Sequence, residues 1–137
     1  MSDNTLKTLM DFVREARAQS TEIDGDTLTR MLEEKSDLLL LDVREPSEHE
    51  HGHLQSARLV PRGILEAAAD PQYPEHDPLL AGARDKPVVV YCATGGRSAM
   101  AAHVLQMMGY QDVYSLAGGF LKWAEDQRPV VREASYV

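Results

Sequence analysis

The apolar positions of this chain change their spacing several times, and each change marks an element. Leu6, Leu9, Met10, Val13 and Ala16 fall on one face at helical spacing, so residues 4–18 are expected to form an amphipathic helix. Asp24-Gly25-Asp26 supplies a turn and an N-cap for a second helix over 27–34. The unbroken run Leu38-Leu39-Leu40-Leu41, closed by Asp42, reads as a strand covered on both faces, where alternation is not needed. Glu45-Pro46-Ser47-Glu48 suits a short helix start, Gly52 a break, 57–60 a brief strand and 64–69 a further helix. The proline-rich stretch 70–78 is expected to be a surface loop. Residues 87–91, Pro-Val-Val-Val-Tyr, form the clearest central strand. After a glycine-containing loop, Met100, Ala101, Val104, Leu105 and Met108 give a helix over 98–108 that ends at Gly109. A strand over 112–116, a tight turn at Gly118-Gly119 and a helix over 120–126 complete the series before Pro129. Strands alternating with helices imply an α/β fold, a central and mostly parallel sheet with helices on both faces.

Composition narrows the class. The length of 137 residues suits one domain, expected over 21–130, with a helical extension over 1–20 and a tail over 131–137. The apolar runs fall far short of the ~20 residues that span a bilayer, so no membrane association is expected. The first residues lack a basic stretch followed by an apolar one, which places the chain in the cytoplasm. A formal net charge of −8 argues against nucleic acid as a partner, because backbone-driven binding needs a basic surface. The single cysteine excludes an internal disulfide and a thiolate cluster for zinc.

That cysteine stands where a buried strand ends and a helix begins. In open α/β sheets, ligands bind beyond the carboxyl ends of the strands, against the unpaired N–H groups of helix N-termini. Cys92-Ala93-Thr94-Gly95-Gly96-Arg97-Ser98 occupies that position. Gly95 and Gly96 let the backbone curl with its amides inward, a nest that stabilises an anion at sulfur, and Arg97 adds charge and a planar set of donors for an oxyanion. An isolated cysteine at a strand end is by default an inert buried thiol. A glycine pair, an arginine and a helix start directly after it have no packing explanation as a set, and they favour a reactive nucleophile.

Tyr91-Cys92-Ala93-Thr94-Gly95-Gly96-Arg97-Ser98 resembles the active-site loop of the rhodanese family. Asp42-Val43-Arg44-Glu45 with Gly52-His53-Leu54-Gln55-Ser56-Ala57 resembles that family's upstream signature, and Leu116-Ala117-Gly118-Gly119-Phe120 with Trp123 its closing motif. The resemblance covers residues 22–126. It implies a rhodanese-like fold and a sulfurtransferase that moves a sulfane sulfur from thiosulfate or a low-molecular-weight persulfide to a thiol, cyanide or protein acceptor. Cys92 would carry the sulfur as a persulfide, and Ala93, Thr94, Gly95, Gly96, Arg97 and Ser98 would cradle it. Asp42 and Arg58 would be framework charges, and no metal or organic cofactor would be needed. Cysteine phosphatases that resemble this fold carry five residues between cysteine and arginine, whereas four separate Cys92 from Arg97. The tighter loop fits one sulfur atom and disfavours a phosphoryl substrate.

Other features admit two readings. His49, His51 and His53 interleave with Glu48 and Glu50, a pattern that invites a metal, although a helix end and turn explain it as well. Arg62 is a candidate for attracting an anionic donor to the Cys92 pocket. Met107, Met108 and Trp123 suit packing better than a cofactor site. The N-terminal helix is expected to pack on the domain, with partner binding or oligomerisation as its alternative. A sulfur relay fed by a protein partner and a silent binding module are the alternatives to the enzyme.

Overall fold

The computed structural model describes residues 6–35 and 37–132, so the outer ends of the expected N-terminal helix and tail, 4–5 and 133–137, lie outside the described residues. In chain order the elements are α1 (Leu9–Gln19), β1 (Thr21–Ile23), α2 (Gly25–Glu34), β2 (Leu39–Asp42), α3 (Pro46–His51), β3 (Arg58–Leu59), a 3₁₀ turn (Arg62–Ile64), α4 (Leu65–Ala69), α5 (Pro78–Ala81), β4 (Val88–Tyr91), α6 (Gly96–Met107), β5 (Val113–Leu116) and α7 (Gly119–Glu125). The five strands form one sheet in the order β1-β5-β4-β2-β3, and every pairing is parallel.

β4 lies at the centre, and its alternation divides the core. Val88 and Val90 join Leu41, Val43, Leu65, Leu80, Ala101, Ala102 and Leu105 on the face covered by α4, α5 and α6. Val89 and Tyr91 point the other way, with Leu28, Met31, Leu40, Leu54 and Trp123, on the face covered by α2 and α7. Successive side chains of a strand face opposite sides, so four fully buried residues in a row require cover on both. The α/β architecture with helices on both faces follows from this run.

Helix ends follow local chemistry. Thr8 and Asp11 form a reciprocal capping box that starts α1. Asp24 Oδ1 accepts from the Thr27 amide at 2.8 Å, so α2 begins at Gly25, two residues before the expected start. Three features depart from the sequence reading. β1 was not anticipated: it is a three-residue edge strand, with Thr21 and Glu22 exposed, held by pairing with β5. α5 occupies the end of the expected loop, capped by Asp77 with Pro78 at its first position. In α1 only Val13 and Ala16 of the expected apolar face are buried, while Leu6, Leu9 and Met10 are more than half exposed. The helix packs against α6 through part of the predicted stripe only. Beyond α7, Val131 exchanges two backbone hydrogen bonds with His53, so the chain is still tied to the segment after α3 at the start of the expected tail. Among the described residues no helix is long and apolar enough to cross a membrane.

Candidate active site

Cys92 follows β4 directly and is almost fully buried. Its Sγ accepts hydrogen bonds from the amides of Gly95 at 3.0 Å and Ser98 at 3.3 Å, and it lies 3.5 Å from Ser98 Oγ. Gly95 has φ +110°, which turns its amide back toward the sulfur; a side chain there would be strained. Ser98 sits in the first turn of α6, so the second donor is an amide that a helix start leaves unpaired. Its hydroxyl lies 2.8 Å from Ser115 Oγ on the neighbouring strand β5, which anchors this turn to the sheet. The resulting pocket places two main-chain dipoles on a sulfur shielded from water, where electrostatic stabilisation is stronger than in solvent.

The opposite side of the loop is gripped by α7. The amides of Phe120 and Leu121 donate to the carbonyls of Cys92 at 2.8 Å and Ala93 at 3.0 Å. The two glycines read as a turn are therefore the cap and first residue of a helix docked on the loop. A Cβ on Gly119 would lie 2.5 Å from the Cys92 carbonyl oxygen, which is why only glycine fits. α1 closes a third side. Val13 lies within van der Waals reach of Gly96, and Arg17 reaches toward Gly95.

Arg97 is bound in a way that its position beside the cysteine does not disclose. Its two terminal nitrogens form a fork on Glu48 of α3, at 3.0 and 3.1 Å. The hydrogen bond from Arg97 holds the Glu48 carboxyl below its usual range, and the same bond raises Arg97. The pair is about one-third exposed, so it sits at the mouth of the site.

Where β2 and β4 end lies a buried ionic cluster. The Asp42 carboxylate, fully buried at the end of β2, accepts from Arg44 Nε and Nη2 at 3.0 and 2.8 Å, from the Arg44 amide at 3.0 Å and from Tyr91 Oη at 3.0 Å. His49 Nδ1 lies 2.9 Å from the same group. Burial pushes this carboxyl up, but the hydrogen bonds from Arg44 and His49 outweigh it and leave it below the ordinary carboxylate range. Burial, with the Asp42 charge beside it, drives the Tyr91 phenol strongly upward, so it stays a protonated donor. Arg44 also donates to the Gly52 carbonyl at 2.7 Å and lies over the Phe120 ring. The cluster thus joins β2, β4, the turn after α3 and α7, and through Tyr91 it adjoins Cys92 in the chain.

The remaining candidates are distributed as follows. Ala93 borders an open cleft of about 330 Å³, together with Arg44, Ser47, Glu48, His51, Phe120 and Leu121. Thr94, Gly96 and Arg97 face a second cleft of about 240 Å³ against α1. Arg62 is paired with Glu66 one helical turn away at 2.9 Å and does not line either cleft. Arg58 lies on the edge strand β3 and donates to Asp77, the cap of α5, with Nη2 at 2.9 Å from Oδ1. It braces the rim of the sheet, away from the cysteine. Because Arg58 is nearly half exposed, Arg58→Ala is expected to cost no more than ~1 kcal/mol, read as a small shift of the urea midpoint. Of the three histidines, His49 binds Asp42 and stacks on the His53 ring at 3.9 Å, and His51 Nδ1 donates to the Ser47 carbonyl at the wall of the first cleft. Among the described residues no cluster of potential metal ligands occurs. Sequence reasoning gives no role to Glu48, Tyr91 and Ser115, whose partners lie 49, 49 and 17 positions away, nor to Arg44, which folds back on Asp42 two residues before it.

A lone cysteine held by main-chain amides between a parallel strand and a helix defines an α/β protein built around one buried thiol. Residues 24–126 match the model of the rhodanese-like domain, and the chain belongs to that family. A sulfurtransferase of Allochromatium vinosum is 34% identical over 80% of this chain and 94% of its own length. The Mycobacterium tuberculosis protein named "Probable adenylyltransferase/sulfurtransferase MoeZ" is 30% identical over 82% of the chain, which spans only 26% of that protein. Among solved structures, the polysulfide-sulfur transferase homodimer of Wolinella succinogenes has 31% identity and a TM-score of 0.68, covering 90% of this chain and 87% of its own. A Rhodopseudomonas palustris protein described as of unknown function and a possible tyrosine phosphatase reaches a TM-score of 0.84 at 29% identity. It covers 96% of this chain and 99% of its own, a span too long to leave out α1.

Proposed function

We propose that the protein moves a sulfane sulfur from a small donor to a thiophilic acceptor through a persulfide on Cys92. It is a sulfurtransferase of the rhodanese type. The observation that carries this reading is the convergence of the Gly95 and Ser98 amides on the buried Sγ. The Cys92 thiolate attacks the outer sulfur of the donor; the new S–S bond forms as the donor's own bond to that sulfur breaks, and the electron pair departs with sulfite or a thiolate. Attack by an acceptor thiol, or by cyanide, on the terminal sulfur returns the Cys92 thiolate. The loop amides stabilise negative charge at sulfur before and after each transfer, as covalent catalysis of the ping-pong kind requires. Ala93 to Ser98 form the cradle in this scheme, and Asp42 acts as a framework charge through Tyr91, the residue before Cys92.

Phosphate chemistry fits less well. The loop has one residue fewer between cysteine and arginine than the phosphatases it resembles, and the Arg97 fork is occupied by Glu48. A second reading, sulfur exchange with a protein partner or a second copy, draws on α1. Leu9, Met10 and Phe12 are at least half exposed there, and Leu9 and Met10 line the cleft that reaches Thr94 and Arg97. Cytoplasmic residence belongs to the same proposal, since a free thiol with this task needs a reducing compartment.

Donor alone is expected to add the mass of one sulfur atom to the intact protein, reversibly with cyanide. Cys92→Ser should abolish both this adduct and turnover with the thermal transition preserved. Near-wild-type turnover in the folded variant would overturn the assignment.

A further inference from the structure

The proposed function leaves the donor open between thiosulfate and a persulfide, and the charges around the cleft discriminate between them. The two arginines that border the open cleft or its mouth are both engaged. Arg97 spends its two terminal nitrogens on Glu48, and Arg44 places Nε and Nη2 on Asp42. Each arginine is thereby committed to a carboxylate. Glu48 itself lines the open cleft beside Ala93. A dianion entering there meets a carboxylate in the wall beside Ala93, the residue after Cys92, with the arginine fork that would bind its sulfonate already filled.

The open cleft of about 330 Å³ also has an apolar side. Phe120 and Leu121 form an apolar wall suited to the carbon body of a thiol.

We propose that Cys92 takes its sulfur from the persulfide of an organic thiol in preference to thiosulfate, and that Glu48 sets this preference by holding Arg97. The inference rests on the sulfur-transfer reading above. The thiolate attacks the terminal sulfur of R–S–SH; the Sγ–S bond forms while the donor S–S bond breaks. The electron pair leaves on RS⁻, and the proton stays with the transferred sulfur. No oxidant or reductant is consumed. Glu48 is a positioning residue here, acting through Arg97.

The test measures Cys92 persulfide formation in the full chain by rapid quench and intact mass, over a range of concentrations of benzyl persulfide and of thiosulfate. In the wild type the efficiency with benzyl persulfide should exceed that with thiosulfate more than fivefold; a smaller ratio overturns the proposal, whatever the variants do. In Glu48→Gln, checked for folding by its thermal transition, the ratio should fall at least threefold through a lower half-saturation concentration for thiosulfate. Adding Arg97→Ala should cancel that gain, which a merely structural role of Glu48 would not predict. A ratio that moves less than threefold in folded Glu48→Gln overturns the assignment of Glu48. Should neither donor label Cys92, the sulfur-transfer reading itself fails, and the donor preference with it.

Discussion

Replacing Gly119 by alanine is expected to abolish most sulfur transfer and to destabilise the fold by about 3 kcal/mol, the sum of an overpacking cost and a left-handed backbone cost. Gly119 has φ +61°, a conformation that a side chain strains. Its added Cβ would lie 2.5 Å from the Cys92 carbonyl oxygen and 2.6 Å from the carbonyl carbon and oxygen of Ala93. These are backbone atoms of the loop, so no rotamer change relieves the contact. Either α7 lifts away, breaking the hydrogen bonds from Phe120 and Leu121, or the loop moves and carries Sγ off the Gly95 and Ser98 amides. Stabilisation by fixed amides falls off steeply with such displacements. Gly118→Ala is the control. Its φ of +75° brings comparable backbone strain, but its Cβ would meet the Lys122 side chain and leave the loop carbonyls alone. Urea midpoints and the rate of Cys92 labelling separate the two variants: both lose stability, and only Gly119→Ala loses the rate. A folded Gly119→Ala that labels as fast as wild type would show that α7 does not position the loop.

The contrast between these glycines explains why parts of the fold were legible in sequence and others were not. β4 could be read because four consecutive residues buried on both faces need apolar side chains at every position. β1 could not, since Thr21 and Glu22 are exposed and its position comes from backbone pairing with β5. α5 carries a local signal in Asp77-Pro78, but the prolines around it suggest a continuous loop. Helical spacing in α1 was correct, while its buried face was overstated. The α6 surface that it meets accommodates Val13 and Ala16 and stops short of Leu9 and Met10.

The site divides along the same line. Cys92, Gly95 and Ser98 are neighbours in the chain, and a strand running through glycines into a helix brings amides to sulfur by local geometry alone. Arg97 was visible in the same segment, yet its effect depends on Glu48, 49 positions away, and an arginine clamped by a carboxylate acts differently on an anion from a free one. Asp42 stood out as a charge at the end of an apolar strand. What it holds depends on sheet order: β2 lies next to β4 with Asp42 in register with Tyr91, and that pairing joins two segments with α3, α4 and α5 between them.

Asp42→Asn is expected to cost about 3–5 kcal/mol, the penalty for breaking a buried ion pair and leaving its partner charged. Arg44 stays buried in the variant, and an amide offers it one neutral acceptor oxygen in place of a charged pair. Tyr91 and the Arg44 amide would compete for the same oxygen, and the amide NH₂ would face donors. With domain stabilities of 5–15 kcal/mol, a loss of this size takes a large share of the total and should lower Tm by on the order of 10 °C. The pH dependence supplies a second, independent signature. Because the folded-state Asp42 carboxyl lies below its ordinary value of 3.8, the unfolded chain binds its proton first as pH falls. The stability that Asp42 contributes is therefore fully present above that value and is lost as pH drops through the lower folded one. Urea unfolding between neutral pH and about pH 3 should show this decline in the wild type, and a flatter profile in Asp42→Asn, whose amide does not titrate. If the two curves stay parallel across that range, the carboxylate at the end of β2 is not what couples folding to acid, and the cluster would have to be held by packing among Arg44, Tyr91 and Phe120 instead.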